Sequence, residues 1–172
     1  MPINHDTRFL EDMPANCAVQ FLDRVAASAD REAFRFPDGD GWASVTWGQA
    51  GERVRELAAG LLSLGLESEQ RVAIASSTRY EWILADLAIM CAGGATTTVY
   101  PSTGGDDTAY ILSDSDSHIV FAADESQVAK LRDHRGELPA VAKVVVFDAA
   151  LADGDWIISL DDLAALGQAH LA

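Results

Sequence analysis

The 172-residue sequence has no run of about 18 apolar residues, so nothing in it reads as a membrane-spanning helix. Its first residues, MPINHDTRFLEDMP, lack a basic start followed by an apolar stretch, which excludes a secretory signal. Cysteine is scarce. Cys17 and Cys91 stand far apart among apolar neighbours, with no spacing for a disulfide scaffold or a zinc site, and both read as small buried hydrophobes. Lysine is as scarce: of 12 basic residues only Lys130 and Lys143 are lysine, which with the abundant alanine hints at a GC-rich genome. Basic charge as a whole is short, 12 Lys and Arg against 27 Asp and Glu, a net charge of −15. Phosphate contacts need clustered Lys and Arg, so a stand-alone nucleic-acid binder is excluded. The same charge argues against docking on anionic membranes. The expected location is the cytoplasm, with reduced thiols.

What is present is apolar: 49% of the residues, enough to bury a core. The length suits one domain or a large piece of a bigger one. Asn16 can cap a helix carrying Val19, Phe21, Leu22, Val25 and Ala26. Two β-rich runs, 33–36 and 42–46, flank Asp38-Gly39-Asp40-Gly41 and read as a hairpin. The later ligands of a calcium loop do not follow. Thr46 and Gln49 make a capping box before a periodic helix with Trp47, Ala50, Val54, Leu57, Ala58, Leu61 and Leu62 on one face. Glu52, Arg53, Arg55, Glu56 and Ser63 take the other face, which reads as solvated, and Gly65 ends the helix.

From residue 71 the pattern alternates. RVAIA reads as a strand, and the helix after it starts at Thr78 or just before and stops at Gly93-Gly94. It is apolar on most sides and so is expected to be buried on most sides, Trp82, Ile83, Leu87 and Met90 included. ATTTVYP, HIVFA and KVVVF read as strands separated by the helices DDTAYILSDS and ESQVAKLRDHRGEL. WIIS reads as a last strand before a helix that opens at SLDDLAAL. The order β-α-β-α-β-α-β predicts an α/β fold, a parallel sheet with crossover helices, preceded by a helix and a β-hairpin. The core is expected on strands 71–75, 95–100 and 118–122.

Chemistry-bearing motifs are few. No Gly-Lys pair exists, so there is no P-loop, and SSTRYEW after the first parallel strand has no glycine for a dinucleotide fingerprint. Ser102-Thr103-Gly104-Gly105 follows a strand, where open α/β sheets bind ligands, but reads first as a plain turn. Asp114-x-Asp116-x-His118 could in principle face a metal from a strand, and reads first as a polar helix tail. Asp86 lies inside the most apolar helix and needs a partner, for which Arg79 or an arginine of the amphipathic helix is proposed. Tyr80 and Trp82 read as core or pocket wall. Spacing alone names no reaction and assigns no catalytic, cofactor-binding or metal residue.

Several segments together resemble one family: VTWGQAGERVRELAAGLLSLGL, RVAIASSTRYEWILADLAIMCAGG, TTTVYPSTG and AYILSDSDSHIVFA. In order and spacing, over about residues 30–125, they are similar to the N-terminal region of the long-chain fatty acid–CoA ligases of the adenylate-forming superfamily. Thr97-Thr98 and Gly104-Gly105 depart from the usual pattern. The resemblance implies a longer enzyme that joins a fatty acid to ATP as an acyl-adenylate, releases pyrophosphate, and passes the acyl group to CoA. ATP, Mg2+, CoA and a fatty acid are its implied cofactors and substrates, and a peripheral place at the inner membrane face suits the longer protein.

The resemblance also divides the chain into a lead-in and helix over 1–30 and a partial AMP-binding domain over 31–172, truncated before the phosphate loop. The Ser/Thr/Gly-rich loop ending in Pro-Lys-Gly, the adenine-contacting stretch and the catalytic lysine are missing from the sequence, so the chain alone is expected to be inactive and to bind none of these cofactors. Self-association of the fragment is expected, by exchange of the helix from residue 159. Two other readings are a non-enzymatic acidic α/β module that binds proteins and a small flavodoxin-like nucleotide or flavin binder.

Overall fold

The computed structural model describes residues 13–172, so the first twelve residues of the lead-in and helix expected over 1–30 lie outside the described residues. Asn16 Oδ1 accepts the Val19 N–H at 2.9 Å and opens α1, Cys17–Ser28. Strands β1, Glu32–Asp38, and β2, Gly41–Thr46, form the expected antiparallel hairpin. Helix α2, Trp47–Ser63, starts on the expected capping box. Thr46 Oγ1 accepts the Gln49 N–H at 3.2 Å, and Gln49 Oε1 accepts the Thr46 N–H at 2.9 Å. Gly65 follows with a φ of +88°, a conformation that ends helices and suits glycine.

Beyond residue 70 come β3, Arg71–Ala75; α3, Tyr80–Cys91; β4, Ala95–Val99; α4, Gly105–Asp114; and β5, Ser117–Ala122. They are followed by α5, Glu125–Asp133; β6, Lys143–Val146; β7, Ile157–Ser159; and α6, Leu160–Leu171. The five strands pair in parallel in the order β4-β3-β5-β6-β7. Side chains alternate along each strand, and both faces are buried. Val72, Ile74, Ile119, Phe121, Val145 and Ile158 face α2, α3 and α6. Ala73, Val120, Ala122, Val144, Val146 and Ile157 face α4 and α5. The result is three layers, helix, sheet and helix.

Four expectations need correction. The third core strand is β6 rather than β4, because β4 lies at the sheet edge, where Thr98 is exposed, whereas Val144, Val145 and Val146 are fully buried. Helix α3 starts at Tyr80, two residues later than Thr78, because Arg79 has extended backbone at φ −152° and ψ 174°. Its buried face is Leu84, Ala85, Ala88 and Ile89, while Trp82, Ile83, Leu87 and Met90 are only partly buried. An apolar circumference gives no contrast from which to read the inner face. Cys17, in the first turn of α1, is exposed, and Cys91, at the end of α3, is half-buried.

The charged side of α2 is also not simply solvated. Helix α6 lies across it: Arg53 pairs with Asp161, and Gln168 Nε2 donates to Glu56 Oε1 at 2.7 Å. The two backbones approach so closely that a Cβ on Gly167 would stand 1.8 Å from the Glu56 carbonyl oxygen, and one on Gly60 2.2 Å from that of Leu163. The helix expected to be exchanged between chains is thus seated on its own α2.

Candidate functional site

In this sheet the chain steps from β3 to β4 on one side and then returns past β3 to β5 on the other. The loops after β3 and β5 therefore part, and such a switch point opens a crevice at the carboxyl ends of the strands. The strand ends at this switch point are tied together by backbone bonds: the Ala123 N–H donates to the Ala75 carbonyl at 3.1 Å, and the Phe147 N–H to the Ala122 carbonyl at 3.1 Å. Around the crevice stand Ser76 to Arg79 from β3, Asp124 from β5, and Phe147 and Asp148 from β6.

Arg79 stands at this rim, and its partner is not the expected Asp86. Its Nε donates to Glu81 Oε2 at 2.6 Å, and its guanidinium lies 5.7 Å from the centre of the Phe147 ring. The bond to Glu81 holds the guanidinium protonated more firmly than usual, partial burial works against this, and Asp124 and Asp148 add to it. For Glu81, burial pushes the carboxyl up, but the hydrogen bonds from Arg79 and from its own N–H outweigh it and hold it below the usual range. Asp86 instead accepts from Thr96 Oγ1 at 2.7 Å, on the neighbouring edge strand. The later start of α3 explains the exchange. As the cap, Arg79 sits outside the helix with extended backbone, beside Glu81 rather than over Asp86.

Next to the rim is a groove of about 510 Å³ between the hairpin and the start of α3. Its walls include Phe34, Phe36, Pro37 and Tyr80, with Arg79 and Glu81 at its polar end. Phe36 stacks on Tyr80 with ring centres 4.3 Å apart and planes 8° from parallel. The chain of rings continues from Tyr80 to Phe34 at 5.6 Å and from Phe34 to Trp47 at 5.7 Å. Burial raises the Tyr80 hydroxyl above its ordinary value. This aromatic link fastens the hairpin to the sheet domain. Its signal in the sequence is Phe-Arg-Phe at 34–36, since alternate strand residues share one face.

The remaining candidates do not join this rim. Asp116, at a φ of +51°, and His118 lie at the amino end of β5, the opposite end of the sheet. Among the described residues no three His, Cys, Asp or Glu side chains come together as a metal site. Lys130 Nζ donates to the Pro101 carbonyl at 2.8 Å, and Lys143 to that of Asp155. The rim thus offers an ion pair, hydroxyls and an aromatic wall: groups that bind and orient rather than a nucleophile with its base.

A family model described as AMP-binding enzyme matches residues 21–165. A long-chain-fatty-acid–CoA ligase of Mycobacterium bovis, FadD15, is 33% identical over 141 residues, covering 77% of this chain and 24% of its own. Two solved structures share the fold. An anthranilate CoA ligase in complex with anthranoyl-AMP superposes with a TM-score of 0.79 at 21% identity, over 90% of this chain and 29% of its own. Acetoacetyl-CoA synthetase from Streptomyces lividans superposes at 0.76 and 23% identity, over 86% and 24%. The chain spans about a quarter of the length of the curated relative.

Proposed function

The chain belongs to the AMP-binding enzyme family, and on that premise we propose that it is the N-terminal part of a long-chain fatty acid–CoA ligase. The observation that carries this reading is the 33% identity, sustained over 141 residues, to a ligase of that name. The longer protein activates a fatty acid with ATP, releases pyrophosphate, and transfers the acyl group from the adenylate to CoA, in the cytoplasm. Residues 31–172 supply the first part of its AMP-binding domain. Their role is architectural: the parallel sheet sets the crevice, and Arg79 with Glu81 shapes its rim. No residue of this chain is assigned to the magnesium ion.

Stabilising a transferring phosphoryl group needs positioned cationic donors. Both lysines are bound to backbone carbonyls and Arg79 at the rim is paired with Glu81, which supports the reading that the 172-residue chain alone does not carry out this step. It is inactive by itself and self-associates through its uncovered apolar surface. The test uses two proteins. The full reading frame should continue into a Ser/Thr/Gly-rich loop ending in Pro-Lys-Gly, and its product should release pyrophosphate with ATP, magnesium and palmitate and form palmitoyl-CoA. Under the same conditions the 172-residue chain should release none. A full-length product that releases no pyrophosphate with any fatty acid overturns the ligase reading and favours the acidic protein-binding module.

A further inference from the structure

The turn that follows β4, Tyr100 to Gly104, lies at the carboxyl edge of the sheet and leads into α4. Three side chains of one stripe at the end of β5's crossover, Gln127, Lys130 and His134, spaced i, i+3 and i+7, all reach this turn or the helix start behind it. Gln127 is buried, 3% exposed, and its Nε2 donates to the Pro101 carbonyl at 3.3 Å. Lys130 Nζ donates to the same carbonyl at 2.8 Å and to Gln127 Oε1 at 3.0 Å. His134 closes the stripe. Its Nδ1 lies 3.0 Å from Glu137 Oε1 and its Nε2 3.5 Å from Asp106 Oδ1, in the first turn of α4. The ring also lies close over Gly105, where a Cβ would come within 2.8 Å of Nε2.

A neutral imidazole has one N–H, which the 3.0 Å bond to Glu137 uses, whereas an imidazolium turns a second N–H and a positive charge toward the exposed Asp106 carboxylate 3.5 Å away. We propose that His134 is a proton-operated strap on this turn: charged, it ties the start of α4 through Asp106 to the end of α5 and Glu137, and neutral, it lets one of the two go. The charged groups facing it are Glu137 from the following turn, Asp106 from α4 and Asp133 from α5. Arg135 turns away onto the Trp156 ring, 4.6 Å from its centre. The hydrogen bond with Glu137 raises the His134 pKa above its ordinary value, desolvation opposes this, and the charges of Glu137, Asp106 and Asp133 add to it. A raised histidine value means that the strap is closed below the ordinary imidazole range and opens as pH rises through the folded-state value.

The strap does not depend on the ligase reading, and the test needs no activity. In the 15N-labelled chain between pH 5.5 and 9, the His134 ring signals and the amides of Thr103 to Asp106 should shift with one shared midpoint, above that of a free histidine. Asp106→Asn should lower the ring's midpoint and abolish the turn's response while the ring still titrates. Glu137→Gln should lower the midpoint for ring and turn together. His134→Gln should flatten the turn's response and leave the strand amides in place. Turn amides that ignore the ring's midpoint, or that respond as strongly in His134→Gln, overturn the proposal; should that variant not fold, the Asp106→Asn spectrum decides.

Discussion

Helices α2 and α3 lie side by side on the same face of the sheet and feed the same apolar cluster, yet their sequences differ in what they disclose. Helix α2 alternates apolar and charged residues at helical spacing, and Val54, Leu57, Ala58 and Leu61 stand on its inner face where the pattern puts them, while Leu62, expected with them, is exposed. Helix α3 is apolar almost all the way round, and the residues that pack inward are Leu84, Ala85, Ala88 and Ile89. Hydrophobicity says that a helix is buried, but only contrast says which way it faces. The charged face of α2 carries a second lesson, because charge marks the outer side of a helix without marking it as free. Helix α6 uses that side through Arg53, Glu56 and Gly60.

Paired truncations should give the largest effect and test the comparison directly. Leu57→Ala in α2 and Leu84→Ala in α3 should each cost about 2–5 kcal/mol in denaturant melts, since both side chains are buried. Leu87→Ala, one turn from Leu84 but only partly buried, should cost clearly less. Equal losses at positions 84 and 87 would mean that α3 is inserted more deeply than its exposure indicates. A smaller effect sharpens the α2–α6 contact. Gly167→Ala forces a methyl against the Glu56 carbonyl, and overpacking of this kind should cost about 1–3 kcal/mol despite alanine's better helix propensity. An unchanged midpoint would show that α6 can lift off α2 without penalty. Smallest is Thr46→Ala, which removes the α2 cap and should cost about 1 kcal/mol; helix α3, whose cap Arg79 makes no side-chain cap bond, should lose nothing of that kind in Arg79→Ala.

Much of the fold is legible because it rests on local signals. The caps at Asn16 and Thr46 and the stops at Gly65 and Gly93 each work within a few residues. The parallel sheet follows from alternation of strand and helix. The rim of the crevice is less legible because it depends on where one helix begins. A two-residue shift in the start of α3 moves Arg79 from a helical position to a cap, and with it the ion pair passes from Asp86 to Glu81. Strand order is also hidden in a single sequence. Nothing in ATTTV against KVVVF says which is the edge, although three threonines in a row suit a strand that needs no second neighbour.

The close seating of α6 on α2 bears on the order in which this chain can fold as it is made. Arg53 and Asp161 are 108 residues apart. At roughly 5–20 residues per second, α2 leaves the ribosome about 5–20 s before its partner exists. Through that interval the Gly60 side of α2 has nothing to lie against, and the sheet must assemble strand by strand beneath it. Helix α6 reaches α2 only after all five strands of the sheet have been made, so the contact through Arg53, Gly60 and Gly167 is a late one in the synthesis of this segment.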